Sequence, residues 1–245
     1  MTPSILVTGG TGRLGRALVP QLLEAGHTVR VLSRQPPSDE RTCRGDLLTG
    51  AGLAAAVDVA DVIVHCATGN GRADLDGTRN LIQAAVRAGG PHLLYVSIVG
   101  VDRVDLPYYR AKLACEQLVE RSGLPWTIQR TTQFHELIVW MCTSQRRLPV
   151  TVMPAGVSFQ PVDAGEVATR LTALAGAAPA GRVPDLGGPE VRPAVDLARA
   201  YARSRASRRP VLAVPMPGLR GYRQGGHLTP EHADGRITFE QFLAA

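Results

Sequence analysis

The N-terminal half of the chain alternates short β-branched runs with longer stretches whose apolar residues return every three or four positions. Ile5-Leu6-Val7-Thr8 has the continuous apolar character of a buried strand. After a run of glycines, Leu14, Ala17, Leu18, Leu22 and Leu23 recur at helical spacing until Gly26. The same pattern predicts strands over 28–33, 61–66, 92–97 and 126–130, and a short one ending at 44–47. It predicts helices over 53–57, 76–88 and 108–121. Such alternation demands a parallel sheet, because consecutive parallel strands need crossover helices. Functional residues are then expected beyond the C-terminal ends of the strands. The second half is less regular. Helices are expected over 133–146, 163–175 and 193–204, the second after the extended stretch Phe159-Gln160-Pro161-Val162. Strands are expected over 182–186 and 211–214, and the Pro/Gly-rich piece 215–226 as a loop or lid. No linker is long enough to separate two domains. The expected architecture is one α/β domain over 1–245, a doubly wound parallel sheet with a small C-terminal cap, 133–245 supplying much of a substrate-side cap.

Composition narrows the class. With 44% apolar and 20% charged residues, the 245-residue chain is neither disordered, collagenous nor a coiled coil. Its apolar run 137–142 falls far short of the ~20 residues of a membrane span, so no membrane partner is expected. The N-terminus has no basic region before its apolar run and is expected to be the first strand, not a signal peptide. A net charge of +6 raises nucleic acid as a partner. The arginines are scattered, however, and the one dense cluster (Arg199, Arg203, Arg205, Arg208, Arg209) suits a surface helix and its following loop. Aromatics at 4%, not interleaved with basic residues, argue against nucleic acid. Four cysteines without CxxC spacing and six histidines without an HxxxH pair predict no metal site and a reducing cytoplasm.

The chemistry begins at Thr8-Gly9-Gly10-Thr11-Gly12-Arg13-Leu14-Gly15, which closes the first strand and opens the first helix. In that setting the glycines allow a tight turn and a close approach of backbone to a pyrophosphate, while the helix N-terminus offers unpaired N–H groups. Gly9, Thr11, Gly12, Arg13, Leu14 and Gly15 are therefore candidate cofactor residues. The second strand ends in Ser33-Arg34, with no acidic residue at its end. An acid there would bind a ribose 2′-hydroxyl, whereas arginine suits a 2′-phosphate. NADP(H) is thus the expected cofactor, held by Ser33 and Arg34. Lys112, the sole lysine, stands four residues after Tyr108, so both project from one helix face.

The glycine turn, Gly45-Asp46, His65-Cys66-Ala67-Thr68, Tyr95-Val96-Ser97, Tyr108-Tyr109-Arg110-Ala111-Lys112 with Glu116, and Leu124-Pro125-Trp126-Thr127-Ile128-Gln129-Arg130 followed by Gln133-Phe134 resemble the atypical short-chain dehydrogenase/reductases, in particular the NmrA-like NAD(P)H-binding branch. The resemblance covers most of the chain and implies a Rossmann-type fold. It implies that Asp46 and Leu47 flank the adenine, and that Cys66, Ala67 and Thr68 line ribose and phosphates. Ser97 and Ile98 would lie beside the nicotinamide, and Arg130, Thr131 and Thr132 would lead into the pocket. It also implies a catalytic set of Ser97, Tyr108 and Lys112. Tyr108 would exchange a proton with the reacting oxygen, and Lys112 would lower the phenol pKa and bind the ribose. Gln133, Phe134 and His135 fall where the family places substrate-pocket residues. His135 would serve either as an acid near neutral pH or simply as a polar residue at a helix start. The function so implied is NADPH-dependent reduction of a small or medium apolar carbonyl, quinone or enone by a monomer or homodimer. The alternatives are an NADP(H)-binding redox sensor without turnover and a non-redox isomerase or lyase that retains the cofactor.

Overall fold

The computed structural model describes residues 2–37, 39–69 and 71–245. The first elements are β1 (Ser4–Thr8), α1 (Arg13–Glu24), β2 (Thr28–Ser33), β3 (Thr42–Arg44), α2 (Leu53–Val57), β4 (Val62–His65) and α3 (Arg72–Arg87). Then come β5 (His92–Ile98), α4 (Pro107–Glu120), β6 (Trp126–Thr131), α5 (His135–Thr143), β7 (Thr151–Pro154), β8 (Ser158–Phe159) and α6 (Ala164–Ala175). The last are β9 (Gly181–Arg182), β10 (Arg192–Pro193), α7 (Ala194–Ser204), β11 (Val211–Val214), α8 (Arg220–Arg223) and α9 (Phe239–Ala244). They form two compact units. The first comprises Met1–Ser97, Leu106–Arg130 and Val167–Pro184; the second comprises Ile98–Asp105, Thr131–Glu166 and Asp185–Ala245.

The first unit is built on a seven-stranded parallel sheet in the order β3-β2-β1-β4-β5-β6-β9. The order reverses between β1 and β4, which is the switch point where an open α/β sheet takes its ligand. β1 sits centrally, with Ile5, Leu6 and Val7 out of contact with water, as expected of a strand covered on both faces. The four-residue spacing of Leu14, Leu18 and Leu22 puts these side chains on the buried stripe of α1. α3 packs against both α2 and α4. Leu81 and Ala85 of α3, Cys115 and Val119 of α4 and Leu93 of β5 belong to one apolar core.

The second unit is assembled from small pieces. β7 pairs in parallel with β11, and β8 antiparallel with β10. Ile138, Met153, Phe159, Leu197 and Phe239 form its core. Its loops are stapled by neutral polar side chains. Gln160 donates to the carbonyls of Gly188 (2.9 Å) and Thr229 (3.1 Å) and accepts from the Thr229 N–H (2.8 Å). His227 meets the Ser158 carbonyl at 2.8 Å.

Several elements differ from the expectations of periodicity. α3 begins four residues early, at Arg72, after Gly71 in a positive-φ conformation. α5 is shorter than 133–146, because the Gln133 carbonyl accepts from Val162 N–H (2.8 Å) and Phe134 bridges to Val162. β3 ends at Arg44; beyond it the Asp46 carboxylate turns back to accept from Leu48 N–H (2.9 Å). β9, Gly181–Arg182, takes only Arg182 of the expected strand 182–186, leaving Leu186 in a single bridge to Thr131. The stretch 215–226 contains helix α8, pinned by Arg223 donating to the Met216 carbonyl (3.1 Å). β7 and α9 have no counterpart in the pattern-based expectation. Among the described residues no helix is long and apolar enough to cross a membrane.

Candidate active site

The glycine turn is shaped by steric necessity. Gly9 has φ +70°, and a Cβ there would lie 2.7 Å from the backbone of Ala67 at the end of β4. A Cβ on Gly10 would meet Val31 at 2.6 Å, and one on Gly15 would strike the Gly9 carbonyl. Glycine lets backbone meet backbone at Gly9 and Gly15, and at Gly10 it leaves room for the Val31 side chain. Gly12 caps α1 with no side-chain hydrogen bond, and the first turn carries no acid. The leading N–H groups and the positive end of the helix dipole are left for an anion. Thr11, Gly12 and Arg13 are exposed at this point, while Leu14 and Gly15 are buried beneath it.

The neighbouring strand ends converge on the same turn. Thr8 Oγ1 accepts from Ala67 N–H (3.3 Å) and lies 2.7 Å from His65 Nδ1; His65 Nε2 lies 3.1 Å from Thr78 Oγ1. Burial, aided by the charge of Lys112, holds the His65 pKa down at about 3. The ring is therefore neutral and acts as a strut between β1, β4 and α3. Ser33 accepts from Gln35 N–H (3.1 Å), and Arg34 is exposed just after β2. Asp46 closes its own turn, while Asn80 of α3 donates to the carbonyls of Leu47 (2.8 Å) and Leu48 (2.9 Å) and so fixes that loop. Burial pushes the Cys66 thiol up to about 12, so it stays protonated.

Helix α4 presents its two candidate groups to different strand ends. The Tyr108 hydroxyl lies 3.4 Å from Thr68 Oγ1, just beyond β4. Lys112, 4% exposed, donates to the Val96 carbonyl of β5 (3.0 Å) and stands 4.6 Å from the centre of the Tyr95 ring. Burial lowers the Lys112 pKa, against the charge of Asp74. Tyr108 is shifted upward, first by burial and also by Asp74, while its bond to Thr68 pulls the other way. Ser97, next along β5, has a buried hydroxyl with no hydrogen-bond partner among the described residues. One turn after Lys112, Glu116 is gripped by Arg130 through two bonds, Nε to Oε1 (2.8 Å) and Nη2 to Oε2 (2.6 Å). Arg130, which the family resemblance leads toward the pocket, is thus committed to Glu116 at the end of β6.

Asp74 escaped the sequence reasoning. It is buried in the first turn of α3, and its carboxylate accepts from Gly69 N–H and from Thr68 Oγ1. The signal was present: Asp74, Thr78, Leu81 and Ala85 fall on one helical stripe, so an acid shares the face of core residues.

The proposed pocket residues lie in the second unit. Ile98 and Phe134 are half-buried. Gln133 is also half-buried; its Nε2 reaches the His227 carbonyl at 3.4 Å and its Oε1 has no hydrogen-bond partner among the described residues. His135 is fully buried, its Nε2 3.0 Å from the Ile237 carbonyl and its ring stacked on Phe242 at 4.9 Å. Burial lowers its pKa, so the ring is neutral and packs against the base of α9.

The glycine turn, the uncapped helix end and the orphaned Ser97 hydroxyl fit a dinucleotide laid across the ends of β1, β4 and β5. A family model described as NAD(P)H-binding matches residues 9–136. A (4-alkanoyl-5-oxo-2,5-dihydrofuran-3-yl)methyl phosphate reductase of Streptomyces griseus is 33% identical over 196 residues, which cover 76% of this chain and 68% of that protein. An uncharacterized protein of Mycobacterium tuberculosis is 32% identical over 161 residues, 62% of this chain; the match spans only 17% of that much longer protein. Among solved structures, an NADPH-dependent quinone oxidoreductase of Escherichia coli complexed with NADPH superposes with a TM-score of 0.84. It covers 98% of each chain at 17% identity, a likeness of fold.

Proposed function

Because the chain belongs to the NAD(P)H-binding family, we propose that it is an NADPH-dependent reductase of a small or medium apolar carbonyl, quinone or enone. The observation that carries this reading is the Ser97 hydroxyl, buried at the end of β5 without a partner and adjacent to the carbonyl that holds Lys112. A buried hydroxyl left unpaired costs free energy, so its persistence at a strand end marks a place kept for a ligand oxygen. NADPH, when bound, supplies the hydride.

The chain's own groups do the rest. The backbone N–H groups at the start of α1 hold the pyrophosphate, and Arg34 with Ser33 holds the 2′-phosphate. Lys112 holds the ribose from its seat on Val96. Ser97 donates a hydrogen bond to the substrate oxygen and orients it. Tyr108, whose pKa is raised, keeps its proton at neutral pH and delivers it to that oxygen as charge develops there. A protonated phenol suits reduction, which needs an acid, better than oxidation, which needs a base. One relative and one structural neighbour support the conjugated-carbonyl part of this class. The Streptomyces protein is named for the methyl phosphate of a 5-oxo-2,5-dihydrofuran, a charged ester whose ring has a carbonyl beside a carbon–carbon double bond, and the E. coli structure for quinones.

The test is NADPH consumption, followed by absorbance, against a panel of quinones, enones and ketones. The expected result is turnover with conjugated carbonyls, faster with NADPH than with NADH. Bound NADPH that no panel member consumes would replace the reductase with a redox sensor. Substrate conversion without NADPH loss would replace it with an isomerase or lyase.

A further inference from the structure

Lys112 is a cation kept out of water. Burial lowers its pKa, because an ammonium without its hydration shell needs compensation. The nearby carboxylates have other commitments. Glu116 is gripped by Arg130, and Asp74 accepts from Gly69 N–H and Thr68 Oγ1. What meets the Lys112 ammonium is the Val96 carbonyl at 3.0 Å and the face of the Tyr95 ring, 4.6 Å from its centre. Tyr95 is buried in the core, and burial holds its pKa well above the ordinary value. The ring is therefore neutral, and it offers Lys112 the negative face of its π system. The His65 ring, 5.5 Å from Tyr95, is neutral as well and sets no second cation beside the first.

We propose that Tyr95 is a positioning residue whose ring face keeps Lys112 charged and in place at the cofactor site. Its effect on the cofactor rests on Lys112 holding the ribose. A carboxylate in the same place would neutralise the ammonium and occupy its N–H groups. A ring face stabilises the charge yet accepts no strong hydrogen bond. The N–H groups beyond the one on Val96 are then left for ribose hydroxyls. Tyr95 and Ser97 alternate with Val96 along β5, so the ring and the orphaned Ser97 hydroxyl share one face of the sheet. The other titratable groups that act on Lys112 are Asp74 of α3, Cys115 and Glu116 of α4, and His65 and Cys66 at the end of β4.

Lys112 is the chain's only lysine, so protein grown on 13C-lysine gives a single Cε signal. Its NMR titration reports the charge of Lys112 with neither cofactor nor substrate present. The protons on that carbon are expected upfield of those of free lysine, shifted by the ring current of Tyr95. Tyr95→Phe keeps the ring face and is expected to leave the Lys112 midpoint nearly unchanged. A phenylalanine with three ring fluorines at position 95 keeps the shape and drains the face. It is expected to lower the midpoint by about one pH unit. Lys112 is charged below its midpoint, so NADPH binding should weaken as pH rises through it, and about one unit earlier in the fluorinated variant. A midpoint that is the same with and without fluorine overturns the proposal. So does one that moves only in Asp74→Asn, which would give the role to the carboxylate. A Lys112 signal at the free-lysine position overturns the contact itself. Equal shifts in Tyr95→Phe and the fluorinated variant make the hydroxyl the active part and overturn the ring's role. A lowered midpoint with NADPH affinity unchanged supports the role of the ring and takes Lys112 off the ribose. None of these readouts uses turnover, so the role of Tyr95 and the reductase reading stand or fall separately.

Discussion

The first unit keeps Asp74, Lys112, Glu116 and Arg130 away from water, whereas the buried polar side chains described in the second, among them Thr132, His135, Gln160, His227 and Thr229, are all neutral. The difference separates two uses of buried polarity. Removing a charge from water costs several kcal/mol and is tolerated only with compensation. Glu116 and Arg130 compensate each other. Lys112 is held by the Val96 carbonyl and the Tyr95 ring, and Asp74 by the Gly69 N–H and the Thr68 hydroxyl. A neutral amide such as Gln160 replaces missing sheet ladders with bonds to loop carbonyls, and so builds shape without charge. The buried charges of the first unit thus include a pair that satisfies itself, while the buried amide of Gln160 fastens loops of the second.

The sharpest way to break this contrast is at the ion pair. Glu116→Gln breaks the buried charge pair with Arg130, and is expected to cost about 3–5 kcal/mol of stability, read as a shift in the urea midpoint. A loss under about 1 kcal/mol would mean that water reaches the pair. Arg34→Ala removes one charge-assisted contact and is expected to weaken NADPH by about 10- to 150-fold while leaving NADH unchanged. Titration of both cofactors reads it; equal wild-type affinities would sink the NADP(H) preference.

Acid should strain both units through neutral histidines. His65 is held at about 3 and His227 at about 4 from an ordinary 6.5, chiefly by burial. The unfolded chain therefore binds protons that the folded chain refuses. Stability is full above pH 6.5 and falls as pH drops toward these values, by about 2 kcal/mol per histidine at pH 5. Thermal midpoints between pH 7 and 5 should fall, and His227→Gln should remove one proton from the slope. The smallest effect belongs to Arg192 and Glu240, a half-exposed pair in the second unit at 2.6 Å. Arg192→Ala should change stability by less than about 1 kcal/mol in the same urea measurement.

How far the chain could be read followed the same division. Periodicity gave β2 and α2 to the residue, because long crossover connections leave strands and helices with uninterrupted patterns. β7 was hidden by its size, four residues that follow Pro149 closely and end at Pro154. α9 carried a legible sign that apolar spacing alone missed, the capping box of Thr238 with Gln241. At the candidate site the glycine turn was legible because strand, turn and helix adjoin in sequence. The network of Thr8, His65 and Thr78 was not, because it joins residues 57 and 13 positions apart. His135 shows the converse: a histidine at a helix start carries no sign in the sequence that its ring will lie on Phe242.

The central claim is tested most directly by following the hydride itself. NADPH carrying deuterium at the transferable C4 position is incubated with the chain and its best enone or ketone substrate, which keeps a transferred hydride on carbon, and the product is analysed by mass spectrometry and NMR. The account predicts one deuterium on a carbon of the reduced product and one equivalent of NADP⁺, with both nearly abolished in Tyr108→Phe. Product formed without deuterium, the label still on the cofactor, would contradict it.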